Sequence, residues 1–271
     1  MTARQSGARA RKLRMQLGER DMAVLRSLYR LRLLRTDQVQ RLHLVDGSPA
    51  TQARRTRALL QRLERLGLIT RFARSVGGVH AGSSSYVMGL TGLGHAVLDV
   101  AGLYGARRRT AWETKPYFQD HVLAVAELYV QLVEASRIGT AELLAFDGEP
   151  AAWRHFAAAG GAAIALKPDA FVRVGIGDLE RSAFIEMDMA TERTPTLTRK
   201  CQAFVAYWRT GIEQQASGVF PLVLWLVPDE KRIQKLTEVI TRMTHETHQL
   251  FHVALHGDGA ALLTAPAGEG V

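Results

Sequence analysis

The 271-residue sequence holds one cysteine, Cys201. A lone thiol excludes an internal disulfide and any zinc site built from cysteines. No apolar run approaches the ~20 residues needed to cross a bilayer, although 47% of the chain is hydrophobic and a sizeable core is available. The basic opening, MTARQSGARARKLRMQLGER, is not followed by a hydrophobic signal region. The expectation is a cytoplasmic protein with no membrane partner. The glycine pair Gly77 and Gly78 precedes no phosphate-binding helix, which argues against a nucleotide loop. Acidic residues are scarce in one part of the chain only. Residues 1–115 carry 22 Lys and Arg against 7 Asp and Glu, a balance of +15, while the remainder carries 13 against 19. An excess confined to one part, and made almost wholly of arginine, points to a polyanionic partner for that part.

The basic part has a readable order. Residues 1–18 form a basic flexible arm in which Arg4, Arg9, Arg11, Lys12 and Arg14 are positioned to order on phosphate. ERDMAVLRSLYRLRLLR sets Met22, Leu25, Leu28, Tyr29 and Leu33 on one helical stripe. Thr36 starts a second helix with Val39 and Leu42 inward. Ser48 caps a third, Pro49 fits its first turn, and Gly67 ends it. LITRFARSV and YVMGLT then read as two strands around a Gly/Ser-rich loop, before another helix from Thr91.

Three helices followed by a β-hairpin is the order of a winged helix-turn-helix, and LLQRLERLGLI resembles the third helix and first wing strand of that superfamily. The outer face of the third helix shows Thr51, Gln52, Arg54, Arg55, Arg57, Gln61 and Arg62. Such a helix fits the major groove, where Arg forks onto guanine and Gln onto adenine. Thr51, Gln52, Arg54 and Arg55 would reach deepest. Arg71, Arg74 and His80 on the wing would hold phosphates or the minor groove. The expected partner is double-stranded DNA, and a palindromic target would call for a homodimer.

GARRRTAWETKP marks a linker, placed at residues 106–116 between a domain of residues 19–105 and another of 117–271. The second domain opens with an amphipathic helix bearing Val122, Val125, Leu128 and Leu132. The strand ELLAFD, an irregular Ala/Gly-rich stretch, and the strands IALKPDAFVRV and SAFIEMDMA follow. A helix, the all-apolar strand FPLVLWLV, another helix from Pro228-Asp229, and the late edge strands LFHVALH and AALLTA complete it. The fold class is α+β, with a mixed sheet flanked by helices.

In FIEMDMA, Glu186 and Asp188 are two apart and share a strand face, and Asp169 sits on the preceding strand. Three converging carboxylates would suit Mg²⁺, which activates water and stabilises phosphoryl transition states. The alternative is a polar strand paired with Arg193, Arg199 or Lys200. His245, His248 and His252 fall at i, i+3 and i+7, a second metal candidate.

The carboxylate pattern resembles the restriction-endonuclease-like, PD-(D/E)XK, fold. That resemblance makes Glu127 the helix acid, Pro168-Asp169 the PD, and Glu186 the second acid. Asp188 stands where the family has its lysine, a departure that favours an inactive domain unless Lys200 or Lys167 replaces it. Together the halves resemble the replication-relaxation family of bacterial plasmids and mobile elements over residues 19–256. The matching pieces are LLQRLERLGLI, Tyr86 to Thr91, His121, KPDAF, FIEMDMATE and the helix from Lys200 to Tyr207. The resemblance implies a DNA-associated accessory or regulatory role, with replication or mobilisation proteins as further partners. Two other readings stay open: a Mg²⁺-dependent endonuclease using Asp169, Glu186 and Asp188, and a dimeric transcriptional repressor.

Overall fold

The computed structural model describes residues 3–72, 86–100, 116–157, 161 and 163–266. The chain divides into two compact units, Met1–Val130 and Gln131–Val271.

The first unit begins with helix α1 (Ala3–Arg14). The expected flexible arm is therefore helical here, because Ala10 and Leu13, three apart, are buried as the helix packs on α5 (Gly92–Val100). Helix α2 (Glu19–Leu31) buries Met22, Val24, Leu25, Leu28 and Leu31. Its end is set by Arg32, a non-glycine residue at φ 68°. Strand β1 (Leu33–Arg35) follows, where the sequence pattern suggested more helix. Helix α3 (Thr36–His43) starts with the Gln38 side chain accepting the Arg35 N–H at 2.9 Å. Helix α4 (Pro49–Arg65) starts as expected, with the Ser48 hydroxyl accepting the Thr51 N–H. Gly67, at φ 74°, turns the chain out of it. Strands β2 (Ile69–Phe72) and β3 (Val87–Leu90) are antiparallel, and β3 lies between β1 and β2. A Cβ at Gly94 would lie 2.2 Å from the Leu68 carbonyl oxygen, so only glycine lets α5 approach the backbone just before β2 this closely.

Helix α6 (Pro116–Arg137) contains the boundary between the units. In the first unit, Val122 and Leu123 pack with Leu33, Phe72 and Val87. The expected linker, residues 106–116, lies outside the described residues except for Pro116.

The second unit is built on a five-stranded sheet. Its strands are β4 (Glu142–Gly148), β7 (Ala170–Ile176), β8 (Leu179–Met187), β9 (Leu222–Val227) and β10 (Phe251–Leu255). The order is β10-β9-β8-β7-β4, with β8, β9 and β10 parallel and the β4–β7 and β7–β8 pairs antiparallel. This is a mixed sheet in an α+β fold. A separate hairpin, β5 (Arg154–Ala157) and β6 (Ala163–Leu166), occupies the Ala/Gly-rich stretch that read as irregular. Helix α7 (Thr194–Trp208) and helix α9 (Glu230–Thr241) bury Leu197, Phe204, Tyr207, Leu236 and Val239 against Phe184, Val223 and Trp225. A short helix, α8 (Ile212–Ser217), follows α7. The segment AALLTA is not an edge strand. It forms helix α10 (Gly259–Thr264), which buries Ala260 and Leu263, one helical turn apart, and whose last carbonyls are held by Arg181.

Candidate nucleic-acid interface and carboxylate site

Helix α4 turns Thr56, Leu60 and Leu63 into the core, which fixes its opposite face outward. Arg54, Arg55 and Arg57 are exposed. Among the described residues the Arg54 and Arg55 side chains have no ion pair or hydrogen bond, while Arg57 Nε donates to the Ala53 carbonyl in its own helix. The other expected DNA-binding side chains are already committed. The Gln52 amide donates to the Val45 and Gly47 carbonyls at 2.8 and 3.0 Å and accepts from Gln40, so it holds the turn before the helix. Thr51 exchanges a hydrogen bond with Ser48 at 3.0 Å. Arg62 pairs with the buried Asp21, whose other oxygen accepts the Gly18 N–H at 3.0 Å. Arg71 pairs with Glu64 at 2.9 Å and lies 4.1 Å above the Tyr86 ring. Arg74 and His80 lie outside the described residues.

In the second unit the β7–β8 register puts Asp169 beside Glu186: Ala170 faces Ile185, and the Asp169 N–H donates to the Ile185 carbonyl at 2.9 Å. The Asp169 Oδ2 accepts the Met187 N–H at 2.7 Å. Glu186 is only 2% exposed. Its Oε2 accepts from Lys200 Nζ on α7 at 2.9 Å, and the same ammonium reaches Glu192 Oε1 at 3.1 Å. Lys200 thus joins Glu186 in space, although 14 residues separate them. The Lys200 Nζ also lies 5.6 Å from the Trp225 ring centre. Lys167 is exposed and sits over Trp153.

Burial pushes the Glu186 carboxyl up, to about 8, against the pull of Lys200, and the nearby Asp169 and Glu192 charges add to the rise. Burial lowers the Lys200 ammonium, but Glu186, Glu192 and Asp169 outweigh it and the net shift is upward. The lysine remains a cation at neutral pH.

Asp188 is held separately. Arg232 on α9 engages both of its carboxylate oxygens in a fork, with the Nη2–Oδ1 arm at 3.0 Å. Arg232 also donates to the Glu192 carbonyl, and the Ala190 N–H donates to Asp188 Oδ1, both at 3.0 Å. Sequence reasoning missed Arg232. Its signal lies in the fold: a cation buried in the first turn of a helix capped by Asp229 opposes the helix dipole and needs an anion, and the burial is not visible in the sequence.

The expected Mg²⁺ ligand trio does not fit a metal in this arrangement. Asp188 is tied to Arg232, Glu186 to Lys200, and one Asp169 oxygen to the backbone. Among the described residues no three His, Cys, Asp or Glu side chains gather as a metal site. That also covers the histidines: the 3-10 turn His245–Leu250 ends before His252, which lies on β10. His248 Nε2 bonds instead with the Met243 carbonyl at 3.1 Å. Glu127, the expected helix acid, lies in the first unit, where its carboxylate accepts from Arg35 at 2.9 Å, Arg41 at 2.6 Å and Gln38 at 2.9 Å. The alternative partners Arg193 and Arg199 are exposed and make no ion pair with these acids.

Neither the curated proteins nor the solved structures contain a match to this chain. No helix of the described residues is long and apolar enough to cross a membrane. The replication-relaxation family model matches residues 25–223, well over half the chain and across both units. The chain belongs to the replication-relaxation family, which points it to replication or relaxation of plasmid or mobile-element DNA.

Proposed function

We propose that this protein is a DNA-binding accessory or regulatory factor of plasmid or mobile-element replication or mobilisation, docking on duplex DNA through a winged helix in its first unit. The observation that carries the reading is the outward face of α4, where Arg54 and Arg55 stand exposed with no partner among the described residues. Unpartnered arginines on a helix fixed from behind by Leu60 and Leu63 are set to fork onto guanine edges. The order helix, helix, helix, hairpin and the interposed β1 strand support the winged-helix assignment. Family membership supports the DNA context.

The second unit is a divergent nuclease-like domain whose carboxylates serve its structure. Binding needs no cofactor. Asp169, Glu186 and Asp188 each answer a donor of the protein itself. A dimer would match a palindromic target.

Two measurements test this. Arg54→Ala with Arg55→Ala should weaken duplex binding at least ~30-fold, at ~1–3 kcal/mol for each base edge no longer read. Unchanged affinity sinks the α4 assignment. Supercoiled plasmid incubated with Mg²⁺, Mn²⁺ or EDTA should shift without nicking. Metal-dependent nicking that disappears in Asp169→Ala/Glu186→Ala would replace the inactive-domain reading with an endonuclease.

A further inference from the structure

Helix α1 holds five cations, Arg4, Arg9, Arg11, Lys12 and Arg14, and no acid. Its residues Ala10 and Leu13 are turned into the protein, so its outward face is set. Arg9, Arg11 and Lys12 are exposed and have no ion pair among the described residues. Cations in the last turn suit the helix dipole, but an unscreened group of them on a folded surface lacks its counter-charge.

Three contacts place this basic helix. Helix α1 packs along α5. The start of α5 is clamped to the residues that follow α4: Thr91 Oγ1 donates to the Gly67 carbonyl at 2.6 Å, and Gly94 abuts the Leu68 carbonyl. The Arg9 guanidinium lies 3.9 Å from where a Gly67 Cβ would be. Arg9 therefore sits by the C-terminal end of α4.

Resting on the reading of α4 as the groove-entering helix, we infer that Arg9, Arg11 and Lys12 grip the phosphate backbone of the same duplex, flanking the groove that α4 reads. Helix α1 adds footprint and affinity without reading sequence. Phosphate is the partner its chemistry fits: exposed cationic donors, no acid, and its one leucine already buried.

The test uses the full chain and a duplex selected by it from a randomised pool, then trimmed one flank at a time. Binding is followed by fluorescence anisotropy across a salt series. Arg9→Ala/Arg11→Ala/Lys12→Ala should reduce the slope of log K against log salt by about 2–3, at ~0.9 for each phosphate no longer neutralised. Its deficit should vanish on the duplex lacking the gripped flank, where wild type and variant bind alike. Arg9→Lys/Arg11→Lys keeps the charge and should retain the slope. An unchanged slope in the alanine variant overturns the inference. So does an equal deficit on trimmed duplex, a matching loss in the lysine variant, or a deficit seen only when a second duplex is being captured. Arg54→Ala/Arg55→Ala runs alongside. If it weakens binding while the α1 variant does not, α1 alone is misassigned. If it has no effect, the α4 reading fails first.

Discussion

Replacing Arg232 by methionine isolates the energetics of the carboxylate site. The Asp188 side chain is 2% exposed and that of Arg232 5%, so both charges are out of water. Without the guanidinium, the Asp188 carboxylate keeps the Ala190 N–H as a donor, and the Glu192 carbonyl loses its Arg232 bond. Breaking one side of a buried pair costs about 3–5 kcal/mol, mostly the penalty of the stranded charge. At about 2–4 °C per kcal/mol for a domain of this size, the melting temperature should fall by roughly 6–20 °C. Tryptophan fluorescence is a suitable probe, because three of the four tryptophans, Trp153, Trp208 and Trp225, belong to the second unit. The decisive partner is the double variant Asp188→Leu/Arg232→Met, which removes both charges and should recover most of the loss. A loss under about 1 kcal/mol in Arg232→Met would refute the reasoning, since stranding a buried carboxylate costs more than that. So would a double variant as unstable as the sum of the single ones.

Other predictions follow from particular contacts. The Glu186 carboxyl, raised to about 8 by burial, favours its protonated form on folding, so its contribution to stability is full below the ordinary carboxylate range and is lost as pH rises through 8. Glu186→Gln mimics that form, and the melting temperature of the variant minus wild type should therefore grow from pH 5 to pH 9; a flat difference would show that the carboxyl is not raised. Gly94→Ala forces a methyl to 2.2 Å from the Leu68 carbonyl, and should destabilise the first unit by at least ~1–3 kcal/mol in circular-dichroism melts and weaken duplex binding with it. A Gly94→Ala protein with wild-type melting would mean that α5 can move aside freely.

Much of the fold was legible because its signals are local. Ser48, Pro49 and Gly67 bracket α4 as read, and the runs around Phe171, Phe184 and Leu224 are the strands of the sheet. What was not legible depended on tertiary packing. Arg32 ends α2 without glycine or proline to announce it, so β1 looked like more helix. The apolar stripe of α1 is Ala10 and Leu13, too slight to read against five cations until α5 supplies its partner. Six residues of AALLTA carry no period that separates strand from helix. At the sites, residue type was a guide to chemistry but not to commitment. Arg62 and Gln52 have the right groups for DNA, yet a buried Asp21 and the carbonyls of a turn claim them first. Lys200 was anticipated as a substitute lysine, whereas the Asp188–Arg232 fork spans 44 residues and is invisible to spacing.

The mixed strand directions bear on how the second unit assembles. Strands β7 and β8 form a hairpin, closed by a tight turn at Gly177 and Asp178, and need no distant segment to pair. The pairing of β8 with β9 is parallel and must wait for the intervening helices α7 and α8 to cross over. Non-local, parallel pairing is the slow event in such topologies. Asp169 and Glu186 are therefore neighbours early, while Asp188 meets Arg232 only after β9 has docked and α9 has folded back across it. Interactions made that late are absent from the rate-limiting barrier, so losing the fork should leave the refolding rate nearly untouched and appear almost entirely as faster unfolding.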